Sequence, residues 1–460
     1  MTRLLIIGGS DAGISAALRA RELNLTVEPT IVMADHFPNF SICGLPFFIS
    51  GEVQDWRNLA HRSAEEISQQ GIQVWMNHWA EAIDPIQKTV TVKDPNGQQH
   101  ILHYDKLILG TGGTSVLPPL PGLNLPGVYP LRWMTDSFAV QKHVTERSPQ
   151  HALIIGAGYI GLEMADALSL RGLEVTLIQR SQSILKTVDA SISQLVQDEL
   201  QRRGVEVMTG VSVSQIELKG DRLLVSDAKG FQRVTDLVIV AVGVNPSTQL
   251  AQTAGVQTGV RGAIQVNRRM ETNIPDIYAA GDCVETYHRI LQHNTYLPLG
   301  TTAHKQGRIA GENAVGGDRE FEGSLGTQVV KVFDVAAART GLHDVDAMAA
   351  GFNPLTVETE AWDHKVYYPG AHKLRIRVTG DRTSGRLLGA QIAGHYHGEV
   401  AKRIDVFATA LFHGMTVDAM SDLDLSYTPP LGSPWDAIQI AAQGWSRQFS
   451  EFSKVSHSIS

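Results

Sequence analysis

Cysteine is nearly absent: Cys43 and Cys283 are the only two in 460 residues, which excludes a disulfide scaffold and a cysteine-rich metal site. A reducing cytoplasm is the expected compartment. Long apolar runs are missing as well. Stretches such as Leu237 to Val244 fall far short of the roughly 18 residues of a membrane span, so a soluble chain is expected. No run of Lys or Arg is dense enough to track a phosphate backbone, and 39 basic against 47 acidic residues leave a formal charge of -8. A nucleic-acid partner is therefore not expected. Nor does an apolar leader with a small-residue cleavage site precede the strand-like Leu4 to Ile7, which disfavours secretion. Low-complexity segments and short-period repeats are lacking too.

Glycine is plentiful, with 43 residues, and a chain of this length corresponds to two to four domains. The first thirty-odd residues read as strand Leu4 to Ile7, turn Gly8-Gly9-Ser10-Asp11-Ala12-Gly13, helix Ile14 to Glu22 and strand Val27 to Met33, a βαβ unit. The pattern returns at Ala152 to Ile155, Gly156-Ala157-Gly158-Tyr159-Ile160-Gly161, Leu162 to Arg171 and Glu174 to Ile178. Each glycine turn lets backbone approach a pyrophosphate and aims a helix N-terminus at its charge. Lys106 to Gly113 reads as a strand ending in a turn, and the proline-rich Leu117 to Gly122 crosses between domains, placing a boundary near 115. Asp236 to Val242 is another buried-strand run, and Ile277 to Asp282 repeats the strand-to-glycine signal, so that segment is expected to rejoin the first domain. From about Gly326 the pattern shifts to strands rich in Val, Arg and Tyr and then a helix, Glu399 to His413, as in an α+β domain.

Two nucleotide folds and one solitary cysteine, in Ser41-Ile42-Cys43-Gly44-Leu45-Pro46, suggest a nucleotide-bound electron carrier acting on a thiol. The order of Gly8 to Gly13, Ser41 to Pro46, Leu109 to Gly112, Gly156 to Gly161, Ala279 to Asp282 and Leu425-Ser426-Tyr427-Thr428-Pro429-Pro430 resembles the pyridine nucleotide-disulfide oxidoreductases over essentially the whole chain. More narrowly it resembles their single-cysteine branch, which holds coenzyme A-disulfide reductases, NADH oxidases and NADH peroxidases. The resemblance implies an α/β fold with two Rossmann-like domains and a C-terminal α+β dimerisation domain in a homodimer. Residues 1–115 with 246–325 would bind FAD, 116–245 NAD(P)H, and 326–460 would dimerise.

By the same resemblance Cys43 is the redox-active residue. The branch with an internal dithiol carries a second cysteine five positions on, where this chain has Phe48. Cys43 must then cycle alone, as a mixed disulfide or a sulfenic acid. A helix opened by Gly44-Leu45-Pro46 would stabilise its thiolate. FAD is expected at Gly8, Gly9, Ser10, Gly13, Thr111, Gly112 and Asp282. Met33 stands where the family usually has Glu, which leaves two readings: Asp35 substitutes for it, or backbone alone holds the adenosine. The second nucleotide is expected at Gly156, Gly158 and Gly161, with Tyr159 as the aromatic lid over the flavin and Glu163 one turn on, toward the nicotinamide. Gln179 occupies the acidic ribose position beside Arg180 and Lys186, which favours a 2′-phosphate and hence NADPH over NADH.

Ser15, Arg19 and Glu22 share one helix face, which in coenzyme A-disulfide reductases borders the thiol site, and Asn39 and Ile42 flank Cys43. Arg19 has two readings, a coenzyme A phosphate ligand or an intrahelical ion pair. Ile42 and Phe47 stand where the family reductases favour Asn and Tyr. Tyr427 matches the tyrosine that reaches the cysteine of the other subunit, and Tyr367 or Tyr368 the second tyrosine of that site. The pair His395 and His397 lacks a recognisable ligand spacing, and no metal is expected. Three activities remain open: reduction of a small disulfide or persulfide, an NAD(P)H oxidase or peroxidase using a Cys43 sulfenate, and a redox-sensing or electron-donating flavoprotein with a protein partner.

Overall fold

The computed structural model describes residues 2–458, with side chains as far as Glu451. A parallel five-stranded sheet runs Ile277–Ala279, Lys106–Leu109, Arg3–Ile7, Glu28–Val32, Gln73–Trp75. Leu4, Leu5, Ile6 and Ile7 are all buried, in a core shared with Ile14 and Ala17 of the following helix and with Ile83, Val90 and Val92 of a three-stranded antiparallel sheet (Trp79–Asp84, Thr89–Lys93, Gln99–His103), and a doubly covered strand reads as continuous apolar sequence. Helix α1 (Asp11–Leu23) follows the first strand. The strand after it lies on one side of Arg3–Ile7 and Lys106–Leu109 on the other, which opens a crevice at the carboxyl end of the sheet.

Short helix α2 (Leu45–Ser50) leaves this sheet and packs on α3 (Tyr159–Leu170), Leu45 and Ile49 sharing a core with Leu162 and Ala165. Helix α3 belongs to a second parallel sheet, ordered Glu206–Thr209, Glu174–Gln179, His151–Ile155, Leu237–Val240, Val128–Pro130. Helix α4 (Ala190–Arg202) follows Glu174–Gln179. The chain enters and leaves this region through a narrow antiparallel ribbon, Gly113–Ser115 against Val244–Pro246. It then returns to the first sheet as Ile277–Ala279, as the repeated strand-to-glycine signal suggested.

Helix α5 (Gly300–Ala314) crosses α1 at backbone contact. A Cβ on Gly307 would lie 2.2 Å from the Ala12 carbonyl oxygen, and one on Gly311 2.2 Å from that of Ala16. Only glycine permits this approach, and it fixes α1 and its glycine turn against α5. The third sheet is antiparallel, ordered Gln328–Val332, Val335–Gly341, Leu387–His395, Lys373–Asp381, Pro354–Trp362. Buried Trp445 closes it, donating from Nε1 to Leu355 O at 2.8 Å. No described helix is long and apolar enough to cross a membrane.

Candidate active site

Gly8 carries φ +118° and a Cβ there would sit 2.1 Å from Gly110 O, while a Cβ on Gly13 would sit 1.9 Å from Gly8 O. The turn is therefore tight enough that strand and helix meet through backbone alone. Its counterpart repeats the contact between Gly161 and Gly156 O at 1.9 Å, and Gly158 opens to free space. Neither Ser10 nor Gly158 caps its helix through a side chain, so first-turn amides of α1 and α3 face outward as anion donors. Those cradles fit two nucleotide pyrophosphates. Beside the first, Asn39 is buried at φ +51°, and its Oδ1 has no hydrogen-bond partner among the described residues. Met33 packs its sulfur against Gly9. Half-buried Asp35 accepts from Phe37 N at 3.1 Å, and burial pushes its carboxyl up.

Cys43 sits in a 3₁₀ turn, Ile42–Gly44, immediately before α2. Its side chain touches solvent, yet protein atoms crowd it enough for desolvation to dominate its titration. In the chain by itself, burial and neighbouring charges oppose the expected thiolate. Burial pushes the thiol up, Glu163 and Asp11 push it further, Arg132 opposes them, and Asp282 adds to the rise. Helix α2 has only six residues, so it sets a short dipole against this burial and these carboxylates. No second sulfur stands five positions on. Phe48 is buried there against Phe138, and Cys283 lies fully enclosed in the first sheet's core, its thiol donating to the carbonyls of Leu109 and Ala280.

Arg132 donates to Asp282 Oδ2 at 2.7 Å, and Tyr296 OH donates to the Asp282 carbonyl at 2.9 Å. Thr111 donates to Ser247 O at 2.6 Å, and Gly112 follows at φ +67°. Desolvation pushes the Asp11 carboxyl up, with His61 and His304 opposing it. The sequence reading missed Arg132, whose partner is 150 residues away and leaves no local signal. It also passed over Asp11, which was visible as an acid inside the first glycine box.

On the shared face of α1, Ser15 Oγ and His304 Nδ1 lie 2.8 Å apart. Arg19 meets Glu22 and Glu312, each at 2.8 Å, and Arg308 approaches Glu22 at 3.6 Å. Of the two readings of Arg19, the intrahelical pair is present, strengthened by a carboxylate from α5. Ile42 is half-buried next to Cys43.

At the second glycine turn, Gln179 Oε1 accepts from Ala157 N at 3.3 Å and its Nε2 donates to Ser181 Oγ at 2.7 Å. Arg180 and Lys186 are exposed. Thr187 donates to the Tyr159 hydroxyl at 3.1 Å, while burial pushes that phenol up. One turn on, burial raises Glu163 to about 7, with Asp166 adding to the shift.

The two C-terminal tyrosines of interest come together. A hydrogen bond to Tyr427 pushes the Tyr367 phenol up, and Lys365 N donates to Pro429 O at 3.3 Å to join their loops. Tyr368 turns instead to His364, ring centroids 5.9 Å apart. Tyr367, Tyr427, Val366, Leu431 and Trp435 are all exposed. His395 ends its strand while Tyr396 and His397 lie in a turn, so the two histidine rings stack at 5.3 Å. Among the described residues no group of three His, Cys, Asp or Glu is placed to hold a metal ion.

Residues 2–307 match the family described as pyridine nucleotide-disulphide oxidoreductase, and 327–437 match its dimerisation domain. An NAD(P)H coenzyme A polysulfide/persulfide reductase of Pyrococcus horikoshii is 31% identical over 445 residues, covering 96% of this chain and 98% of that protein. A coenzyme A disulfide reductase of Staphylococcus haemolyticus is 32% identical over 445 residues, with 96% and 98% covered. Among solved structures, an engineered water-forming NADPH oxidase bound to NADPH, derived from the Lactobacillus brevis NADH oxidase, superposes with TM-score 0.93 at 28% identity, covering 98% of this chain and 99% of the other.

Proposed function

The chain belongs to the pyridine nucleotide-disulphide oxidoreductases, and on that premise we propose that it is a homodimeric NADPH-dependent flavoprotein reducing a small disulfide or persulfide of the coenzyme A type through Cys43 alone. The observation that carries this reading is the isolation of Cys43: solvent reaches it, Phe48 fills the resolving position, and Cys283 is walled off in the core. We assign residues 1–115 with 246–325 to FAD, 116–245 to NADPH and 326–460 to dimerisation.

FAD would be held by Gly8, Gly9, Ser10, Gly13, Asp35, Thr111, Gly112 and Asp282, and the nicotinamide nucleotide by Gly156, Gly158, Gly161, Glu163, Arg180 and Lys186, with Tyr159 between the two. When bound, the pair delivers two electrons from reduced nicotinamide to the site. Cys43 as thiolate attacks one sulfur of the disulfide, forms a mixed disulfide and expels the other half as a thiolate. Tyr427, paired with Tyr367, hands that thiolate a proton across the dimer. Two electrons and a second proton then split the mixed disulfide, releasing the second thiol and restoring Cys43.

The NADPH preference draws support from spacing. In the engineered oxidase an aspartate became alanine, the next two residues became arginine and serine, and a residue seven positions after the aspartate became arginine. This chain naturally carries Gln179, Arg180, Ser181 and Lys186 at that spacing. It retains Gly161 where the engineered protein exchanged a glycine for alanine.

Intact mass of the denatured, as-isolated chain, before and after reduction, tests the proposal alongside a sulfenate-trapping sample. A reducible thiol adduct on Cys43, absent from C43S, is expected, together with NADPH consumption driven by the matching disulfide. A trapped sulfenate with consumption driven only by oxygen or peroxide would replace the reading with an oxidase or peroxidase. No turnover with any of the three would leave the electron-donating or sensing role.

A further inference from the structure

Five polar residues of the third sheet stand in one row across its strands. Gln328 is paired with Arg339, Arg339 with Gln391, Gln391 with Arg377 and Arg377 with Glu358, so their side chains can share a face. Four of them grip a single segment, Thr187 to Ser191, at the start of α4. Arg339 Nη1 donates to Thr187 O at 3.1 Å. Gln391 accepts from Asp189 N at 2.7 Å and donates to Asp189 Oδ2 at 2.8 Å. Arg377 meets Asp189 Oδ2 at 2.8 Å, and Ser191 donates to Glu358 at 2.5 Å. His343 adds a contact to Asp189 Oδ1 at 3.1 Å.

The gripped segment faces the second glycine turn. Leu185 N donates to Ala157 O at 2.8 Å, and Thr187 bonds the Tyr159 hydroxyl while its own carbonyl accepts from Arg339. Lys186 lies between them in sequence. Arg339 itself is an expensive residue to keep. Its other contacts are Gly341 O and His343 Nε2, its enclosed Nε has no hydrogen-bond partner among the described residues, and no carboxylate there forms an ion pair with it. Burial accordingly pushes the guanidinium down, with Tyr159, Asp346 and Asp189 opposing the change. A charge held so poorly for stability alone points to a task at the tyrosine.

We propose that Arg339 is a positioning residue through which the third sheet sets Thr187 and hence the Tyr159 hydroxyl, coupling the stance of that tyrosine to the segment that carries Lys186. This rests on the reading of Tyr159 and Lys186 as nicotinamide-nucleotide residues. A phosphate drawn onto Lys186 shifts the same short segment whose next residue holds the tyrosine, so nucleotide binding and tyrosine placement move together.

The test uses flavin-loaded full-length enzyme and two readouts: equilibrium NADP⁺ binding by flavin-fluorescence change, and single-turnover flavin reduction by NADPH. Wild type, Y159F, T187V, R339Q, R339K and the R339Q/Y159F double variant are compared. T187V and R339Q are each expected to weaken binding and slow reduction about five-fold or more, a size usual for coupled neighbours, with R339K restoring part of the loss. The double variant is expected to match Y159F alone. If R339Q is strictly additive with Y159F, or T187V behaves as wild type, Arg339 acts by another route and the proposal falls. Should R339Q fail to fold, T187V decides, because it removes only the hydroxyl. If Y159F changes neither readout, the nicotinamide reading of Tyr159 fails first and takes the proposal with it.

Discussion

Arg132 and Asp282 form an ion pair at 2.7 Å, each side chain mostly shielded from water. Arg132 also counters the carboxylates that raise the Cys43 thiol. Replacing it with methionine leaves a largely buried aspartate unpaired, which is expected to cost about 2 to 4 kcal/mol of stability. The Cys43 thiol should also rise further, read as a higher pH midpoint for alkylation of the folded protein. An R132M alkylation profile superimposable on wild type would remove Arg132 from the cysteine's electrostatics.

Glu163 gives a pH signature. Its carboxyl titrates near 7 in the fold against about 4.3 in an unfolded chain. Between those values the native state holds a proton that the unfolded state has lost, so this group's contribution to stability falls as pH rises through that window. E163Q carries no such term. Denaturant midpoints at pH 5 and pH 8 should therefore show E163Q gaining on wild type with rising pH, and a constant difference would refute the raised carboxyl.

Nucleotide choice is tested by reversing the phosphate site. Combining Gln179→Asp with Arg180→Ala and Lys186→Ala is expected to shift the NADPH to NADH ratio of kcat/KM toward NADH by roughly 10- to 100-fold, the worth of one or two charge-assisted contacts. A wild-type preference for NADH would already contradict the assignment.

The crossing of α1 and α5 admits no side chain. Alanine at Gly307 must push the Ala12 backbone, which cannot rotate away as a side chain does, so a loss of about 1 to 3 kcal/mol is expected in thermal melts. Because the displaced helix begins at the first glycine turn, flavin retained through gel filtration should fall too. Unchanged stability in G307A would mean that the helices part freely.

What the sequence made legible was local. The glycine boxes, the parallel strands beside them and the return of Ile277–Ala279 to the first sheet all follow from short patterns that need no distant partner. The cysteine's isolation was equally readable, since Phe48 stands in the resolving position. Its acid-base surroundings were not. Glu163, Asp11, Arg132 and Asp282 converge on Cys43 from separate parts of the chain, whereas only the neighbouring helix is visible in the sequence around it. Arg19 shows the same limit: Glu22 could be read off the helical spacing, Glu312 could not. Arg339 gave no motif at all, because its meaning lies in a strand register shared with Gln391 and Arg377.

The return of Ile277–Ala279 to Lys106–Leu109 has a consequence for how the molecule is made. While the chain is being synthesised, that edge of the first sheet stays open until Ile277–Ala279 leave the ribosome, after the entire second parallel sheet. At typical rates of about 5 to 20 residues per second the wait is on the order of ten to thirty seconds. An unpaired, apolar strand edge is a template for mispairing. The N-terminal half thus begins its life as an unfinished sheet, facing identical nascent chains on the same messenger.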